Sequence, residues 1–231
     1  MSSTASASAC ASVAAPPTPW PLALRDPAAM LEHTLSQWGG QEDLWLFGYA
    51  SLIWRPDFEH TEQRPAYAPG WHRALQMWSR VNRGTPEVPG LVFALLSGGS
   101  CRGAVFRVPQ ARGAAVLTQL WAREMPTGVY DPRWLHCQTP EGRVRALAFT
   151  LSRSSPNFTG ELPAQRLRAI FEQATGRYGS TRDYALQTWH CLHERGIHDA
   201  RLLRLLQDAG VAGGLASGQA SAQAAGQVVR K

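Results

Sequence analysis

The sequence predicts an α+β domain, in which strands with one interposed helix come first and helices come last. Three observations predict it. Short apolar or alternating runs between residues 44 and 108 have strand length and strand period. One apolar-periodic helix follows Pro109, and three more fill the chain after Pro163. The 231 residues are 44% hydrophobic and include nine Trp, enough apolar material for one substantial core. Segregated strands and helices differ from the strict alternation of a βαβ protein.

Each element has its own warrant. Asp26-Pro27 opens a helix, with Asp as N-cap and Pro in the first turn. Met30, Leu31, Leu35 and Trp38 recur at helical spacing until Gly39-Gly40 stops it. Leu44 to Tyr49 is an apolar run of strand length. Residues Trp71 to Val81 alternate, with one face consistently apolar. Leu91 to Leu96 and Gly103 to Val108 read as two strands separated by a Ser-Gly-Gly-Ser turn. A helix runs from Pro109 to Arg123 on Val116, Leu117, Leu120 and Trp121, closed by Pro126 and Gly128. Val144 to Leu151 is a further strand. Helices then cover Pro163 to Ala174, Ser180 to Arg195 and His198 to Ala209. The second of these starts with a Ser-x-x-Asp capping signature.

The expected organisation is a lead over residues 1–25, a domain over 26–210 and a tail over 211–231. The lead is rich in Ala, Ser and Pro, and the tail in Ala, Gly, Ser and Gln. Neither composition can bury a core, so both are expected to be disordered. The lead has neither the charged nor the long apolar region of a secretory signal. No run approaches the 18 apolar residues of a membrane span.

The formal charge is +6, and Lys231 is the sole lysine, so the excess is arginine. It is scattered without a basic run, which argues against a nucleic-acid partner. The cysteines at 10, 101, 137 and 191 form no CxxC pair. They suggest neither a zinc site nor a disulfide framework and fit a reduced, cytoplasmic setting.

Two places carry candidate chemistry. In Phe47-Gly48-Tyr49-Ala50-Ser51-Leu52-Ile53-Trp54 an apolar strand runs into small residues and then into bulky ones. Such a strand end exposes backbone N–H groups suited to a carboxylate or oxyanion; a tight, Trp-packed loop reads equally well. Glu124 closes an apolar helix face, where a carboxylate can have a raised pKa and act as a base. A solvated ion pair with Arg123 or Arg112 is the plainer reading of the same residue. His190 and His193, three apart on one helix face, lack an obvious third metal ligand. Familiar phosphate-loop, dinucleotide, zincin and nucleophile-elbow motifs are absent.

Beyond these physical readings, Phe-Gly-Tyr-Ala-Ser-Leu-Ile-Trp-Arg-Pro-Asp-Phe resembles the opening strand and loop of the ChaC-like γ-glutamylcyclotransferases, the glutathione-specific branch. Trp71-His72-Arg73, Trp78-Ser79-Arg80 and Arg83-Gly84-Thr85 resemble the next strand and its loop. Val88 to Val92 and Gly103 to Val108 resemble the central strands. The segments Trp121 to Tyr130 and Gly176 to Tyr184 resemble two later motifs in the right order. The similarity spans roughly Leu44 to Leu206.

The resemblance implies a mixed, barrel-like β-sheet with flanking helices. It implies cleavage of glutathione to 5-oxoproline and L-cysteinylglycine, without metal or other cofactor. By position, Glu124 matches the catalytic glutamate. Leu46, Phe47, Gly48, Tyr49, Ala50, Ser51 and Leu52 match the substrate-binding loop, and Tyr184 a tyrosine near the pocket. Ala50 stands where the family usually has Gly, which matters if that position needs a positive φ or a close approach. Arg83, Gly84 and Arg177 are candidate selectors of the leaving group. Other γ-glutamyl amino acids or amines, or a non-catalytic role in regulating cation transport, are the competing expectations. The oligomeric state is not legible.

Overall fold

A computed structural model describes residues 25–211. The expected lead and tail lie outside these residues, apart from Arg25 and Val211.

Helix α1 (Pro27–Trp38) starts as its sequence dictates: the Asp26 carboxylate accepts from the N–H groups of Ala28 and Ala29 at 2.9 and 3.3 Å. Gly39, at φ 77°, ends it in the left-handed conformation that glycine tolerates. Then come β1 (Leu44–Gly48), a single-turn helix α2 (Ser51–Trp54), β2 (Glu62–Ser79) and β3 (Gly90–Val108). Helix α3 (Gln110–Glu124) leads to β4 (Asp131–Thr139) and β5 (Gly142–Thr150). The chain finishes with α4 (Ala164–Gln173), the short pair β6 (Thr175–Gly176) and β7 (Gly179–Ser180), α5 (Thr181–Glu194) and α6 (Ala200–Asp208).

The first five strands close into a barrel in the order β1-β3-β2-β4-β5. Neighbours are antiparallel except where β5 returns to β1, which it meets in parallel at Leu46 and Leu147. The mixed barrel and its flanking helices agree with the expected fold class. Several details differ from the sequence reading: β2 starts at Glu62 rather than Trp71, and α2 and the β6–β7 pair carry no sequence signal long enough to read. The Ser-Gly-Gly-Ser segment is no turn; it lies within one long strand, β3, which bends with β2. The register between them shifts between Pro69 and Trp71, opposite Gly98 and Gly99 at φ 93° and 73°. A bulge of this kind turns a paired ribbon without ending it. Strand β4 has no clear sequence signature, because it carries only a weak alternation, with Leu135 and Cys137 buried.

Alternate residues of the strands feed two apolar clusters. Phe47, Phe93, Leu95, Ala146 and Ala148 join residues of α4, α5 and α6. Leu44, Leu46, Phe106, Leu147 and Phe149 join α3, with α1 packed against them. A strand buried on both faces leaves little freedom of register, since a one-residue slip exchanges the two sets.

Arg73 on β2 fastens the last helix to this barrel. Its side chain is only 2% exposed, and it pairs with the Asp199 carboxylate at 2.8 Å. Asp199 also caps α6 by accepting from the Leu202 N–H at 3.0 Å. Arg73 Nη1 donates to the carbonyls of Tyr49 and Arg102 at 2.5 and 3.2 Å. Removing the guanidinium strands a carboxylate and two carbonyls. Arg73→Met is therefore expected to cost about 3–5 kcal/mol of stability, read as a lower urea midpoint; an unchanged midpoint would refute this placement.

Candidate active site

The site is built where β1 ends. Gly48 leaves little room for a side chain there: a Cβ would sit 3.0 Å from the Phe106 ring and 3.2 Å from the Leu52 Cβ, closer than such contacts usually come. The chain then turns through Tyr49 and Ala50 into α2. Ala50 has φ −142°, so this position does not demand glycine on account of a positive φ. The first N–H groups of α2 have no intrahelical acceptors, which leaves donors at Ser51 and Leu52. Arg73 fixes the approach to this turn by holding the Tyr49 carbonyl.

Glu124 is the last residue of α3, with 16% of its side chain exposed. Burial pushes its carboxyl above the usual glutamate range, while the neighbouring Arg123 charge opposes that shift. Arg123 Nε lies 3.1 Å from Glu124 Oε1. The same guanidinium donates to the Arg55 carbonyl at 2.7 Å and meets the Asp57 carboxylate at 3.3 Å. It thus ties the helix end to the chain that follows α2. The ion-pair and buried-carboxylate readings of Glu124 both apply to it.

Three buried phenols surround Glu124 and lie within its electrostatic reach: Tyr49, Tyr130 and Tyr184. Tyr49 donates to the Phe149 carbonyl at 2.9 Å and is hydrogen-bonded with Tyr130. Tyr184, on α5, is hydrogen-bonded with Ser51, and its hydroxyl accepts from the Phe93 N–H at 3.4 Å. Burial raises Tyr49 and Tyr130 well above the usual phenol value and Tyr184 to about 12. All three therefore remain neutral hydrogen-bonding groups at physiological pH.

The predicted residues divide accordingly. Tyr49, Ser51, Tyr184 and Glu124 bring polar side chains together. Leu46, Phe47 and Leu52 send theirs into the two cores, and Ala50 is buried with the Phe47 set. Tyr130 was not singled out from sequence; as a phenol in a Gly-Val-Tyr turn it gives no local sign of its position. His193 stacks on Trp189 with ring centroids 5.1 Å apart. Among the described residues, no group of three His, Cys, Asp or Glu is placed to hold a metal ion.

What the arrangement offers is one basic carboxylate, three neutral phenols within its electrostatic reach and the N–H groups of a strand-to-helix turn to which two of those phenols are tied. Residues 44–211 match the family described as ChaC-like protein. The glutathione-specific gamma-glutamylcyclotransferase of Escherichia coli strain K12 is 35% identical over 180 residues, 78% of each chain. Glutathione-specific gamma-glutamylcyclotransferase 1 of Homo sapiens is 29% identical over 154 residues, 64% of this chain and 69% of that one. The fold is shared with the crystal structure of a yeast gamma-glutamyl cyclotransferase specific to glutathione. That similarity has a TM-score of 0.65 at 20% identity, covering 74% of this chain and 96% of the yeast chain. By the matched span and by its identity to the bacterial enzyme, the chain belongs to the ChaC-like protein family.

Proposed function

We propose that the protein is a glutathione-specific γ-glutamylcyclotransferase, with Glu124 as its acid–base group. The observation that carries the reading is a buried carboxylate with raised basicity, within electrostatic reach of Tyr49 and of Tyr184, the phenol bonded to Ser51. Its family membership and the names of its relatives support the substrate. Among the described residues no helix is long and apolar enough to cross a membrane. Cys101, Cys137 and Cys191 are free thiols, which suits a reducing, cytoplasmic setting.

The chemistry follows from the substrate. In a γ-glutamyl peptide the α-nitrogen can fold back onto the γ-carbonyl carbon and close a five-membered ring. Attack within one molecule gains from being held in the curled pose, which the pocket supplies. The nitrogen arrives as an ammonium and cannot attack until it loses a proton. Glu124 takes that proton. The amine lone pair forms the new C–N bond, and charge accumulates on the γ-oxygen. Backbone donors at Ala50 to Leu52 hold either this oxyanion or the substrate's α-carboxylate. When the old C–N bond breaks, Glu124 returns the proton to the departing cysteinyl nitrogen, and it then takes the surplus proton left on the ring nitrogen, which passes to the released amine. Both nitrogens sit on one carbon in the intermediate, so a single carboxylate reaches both. The products are 5-oxoproline and cysteinylglycine, and no water is consumed.

Glu124→Gln keeps the shape and removes the proton carrier. It is expected to lower kcat for 5-oxoproline release by about 10²–10⁴-fold, with the melting temperature retained; near-normal turnover would sink the assignment. The pH profile gives a second check. Glu124 works ionised, so the acid limb of kcat/KM should lie above 4.5, the ordinary glutamate value. Removing the Arg123 charge disfavours the carboxylate further. Arg123→Met should move that limb to higher pH, and a limb that stays or moves down would contradict the charge relation.

A further inference from the structure

Among the described residues, Arg83 is a buried arginine that the mechanism leaves without a task. It follows β2 and is 9% exposed. Its backbone is pinned, with its N–H donating to Ser79 Oγ at 3.0 Å and its carbonyl accepting from Thr181 Oγ1 at 3.2 Å. Its guanidinium lies over the Tyr184 ring, 4.6 Å from the centroid, and donates to the Tyr178 carbonyl. Among the described residues no carboxylate lies within ion-pair distance of it. Asp183 acts on it only from further away, and the Asp183 carboxylate accepts from Ser180 Oγ at 2.7 Å. Arg73, which is more deeply buried, has Asp199. An enclosed cation without a counter-charge is costly, so its retention asks for an anion supplied from outside.

The position of Arg83 says which anion. Tyr184 separates it from the turn at Ser51: the ring face meets Arg83, and the hydroxyl meets Ser51. Arg83 therefore lies about one tyrosine beyond the place where the γ-glutamyl group is handled. The exposed surface beside it is also basic. Arg55 and Arg177 lie 5.8 and 5.3 Å from the ring centroid of the exposed Tyr178. The Arg55 charge reaches Arg83 and disfavours its charged form, a strain that a bound carboxylate would relieve.

We propose that Arg83 recognises the terminal carboxylate of the leaving dipeptide, the glycine end of glutathione, while Arg55 and Arg177 favour its approach. The inference rests on the cyclotransferase reading and goes further, because it assigns selection among γ-glutamyl compounds to a named side chain. A guanidinium presents paired N–H groups that match a carboxylate's two oxygens. A γ-glutamylamine, or a substrate whose terminus is an amide, offers no such charge.

The test compares glutathione with its C-terminal glycinamide, following 5-oxoproline release by the full chain. A charge-assisted hydrogen bond supports about a 10–100-fold preference in kcat/KM for free glutathione. In Arg83→Met the glutathione value should fall by about that factor, mainly through KM, while the amide value stays; the preference then approaches one. Arg83→Lys, which keeps the charge without the fork, should retain part of the preference. It decides the matter together with the wild-type ratio if the Met variant fails to fold. Equal use of both substrates by the wild type, or equal losses on both in Arg83→Met, would overturn the role of Arg83. If the wild type releases 5-oxoproline from neither, the cyclotransferase reading fails, and this inference with it.

Discussion

The buried guanidinium of Arg73 is the constraint on which the rest of the arrangement depends. It joins β2, the exit of β1, the Arg102 carbonyl on β3 and the cap of α6 at one point. A buried ion pair is not by itself a source of much stability, since desolvation offsets the attraction. Its value here is positional. The Tyr49 carbonyl is held at the place where the chain must leave the strand and turn into α2, so the backbone donors that follow are set by the barrel rather than by the loop.

The second feature of the site is a division of electrostatic labour. Burial raises the basicity of Glu124, and Arg123 limits how far. Without the opposing cation the carboxyl would hold its proton more tightly, and with solvent access and full pairing it would be a weaker base. The surrounding phenols are pushed the other way in usefulness, since their raised values keep them neutral. They hydrogen-bond without competing with Glu124 for the substrate's proton. Arg123 also links Glu124 to the Arg55 to Asp57 segment, so the end of α3 and the chain after α2 are held in register.

Much of the fold was legible because its signals are local. The caps at Asp26 and Ser180 work as their sequences indicate. The helices α3 to α5 each bury an apolar face. The strand features that escaped depend on distant partners. Pro65, Pro69 and Gly70 argue against a strand, yet they lie in β2, whose pairing here is mostly with β3. Gly98 and Gly99 look like a turn until the bulge opposite Pro69 to Trp71 is known. The site shows the same limit more strongly. Glu124 read on its own residues was as well explained by an ion pair with Arg123, which does form. Its other neighbours, Tyr49, Tyr130 and Tyr184, come from three separate segments, and only the family resemblance placed two of them near it. The concern raised by Ala50 narrows for a similar reason. At φ −142° the residue lies outside the left-handed region that glycine favours, so a positive φ is not the reason for a glycine there.

The account stands or falls on ring closure by the substrate's own nitrogen. Running the reaction on glutathione in water enriched in oxygen-18, and analysing the products by mass spectrometry, tests this directly. The account requires one 5-oxoproline for each cysteinylglycine, with no heavy oxygen incorporated and no free glutamate as a primary product. Free glutamate carrying one heavy oxygen would mean that water attacks the γ-carbonyl, and would contradict the mechanism built on Glu124.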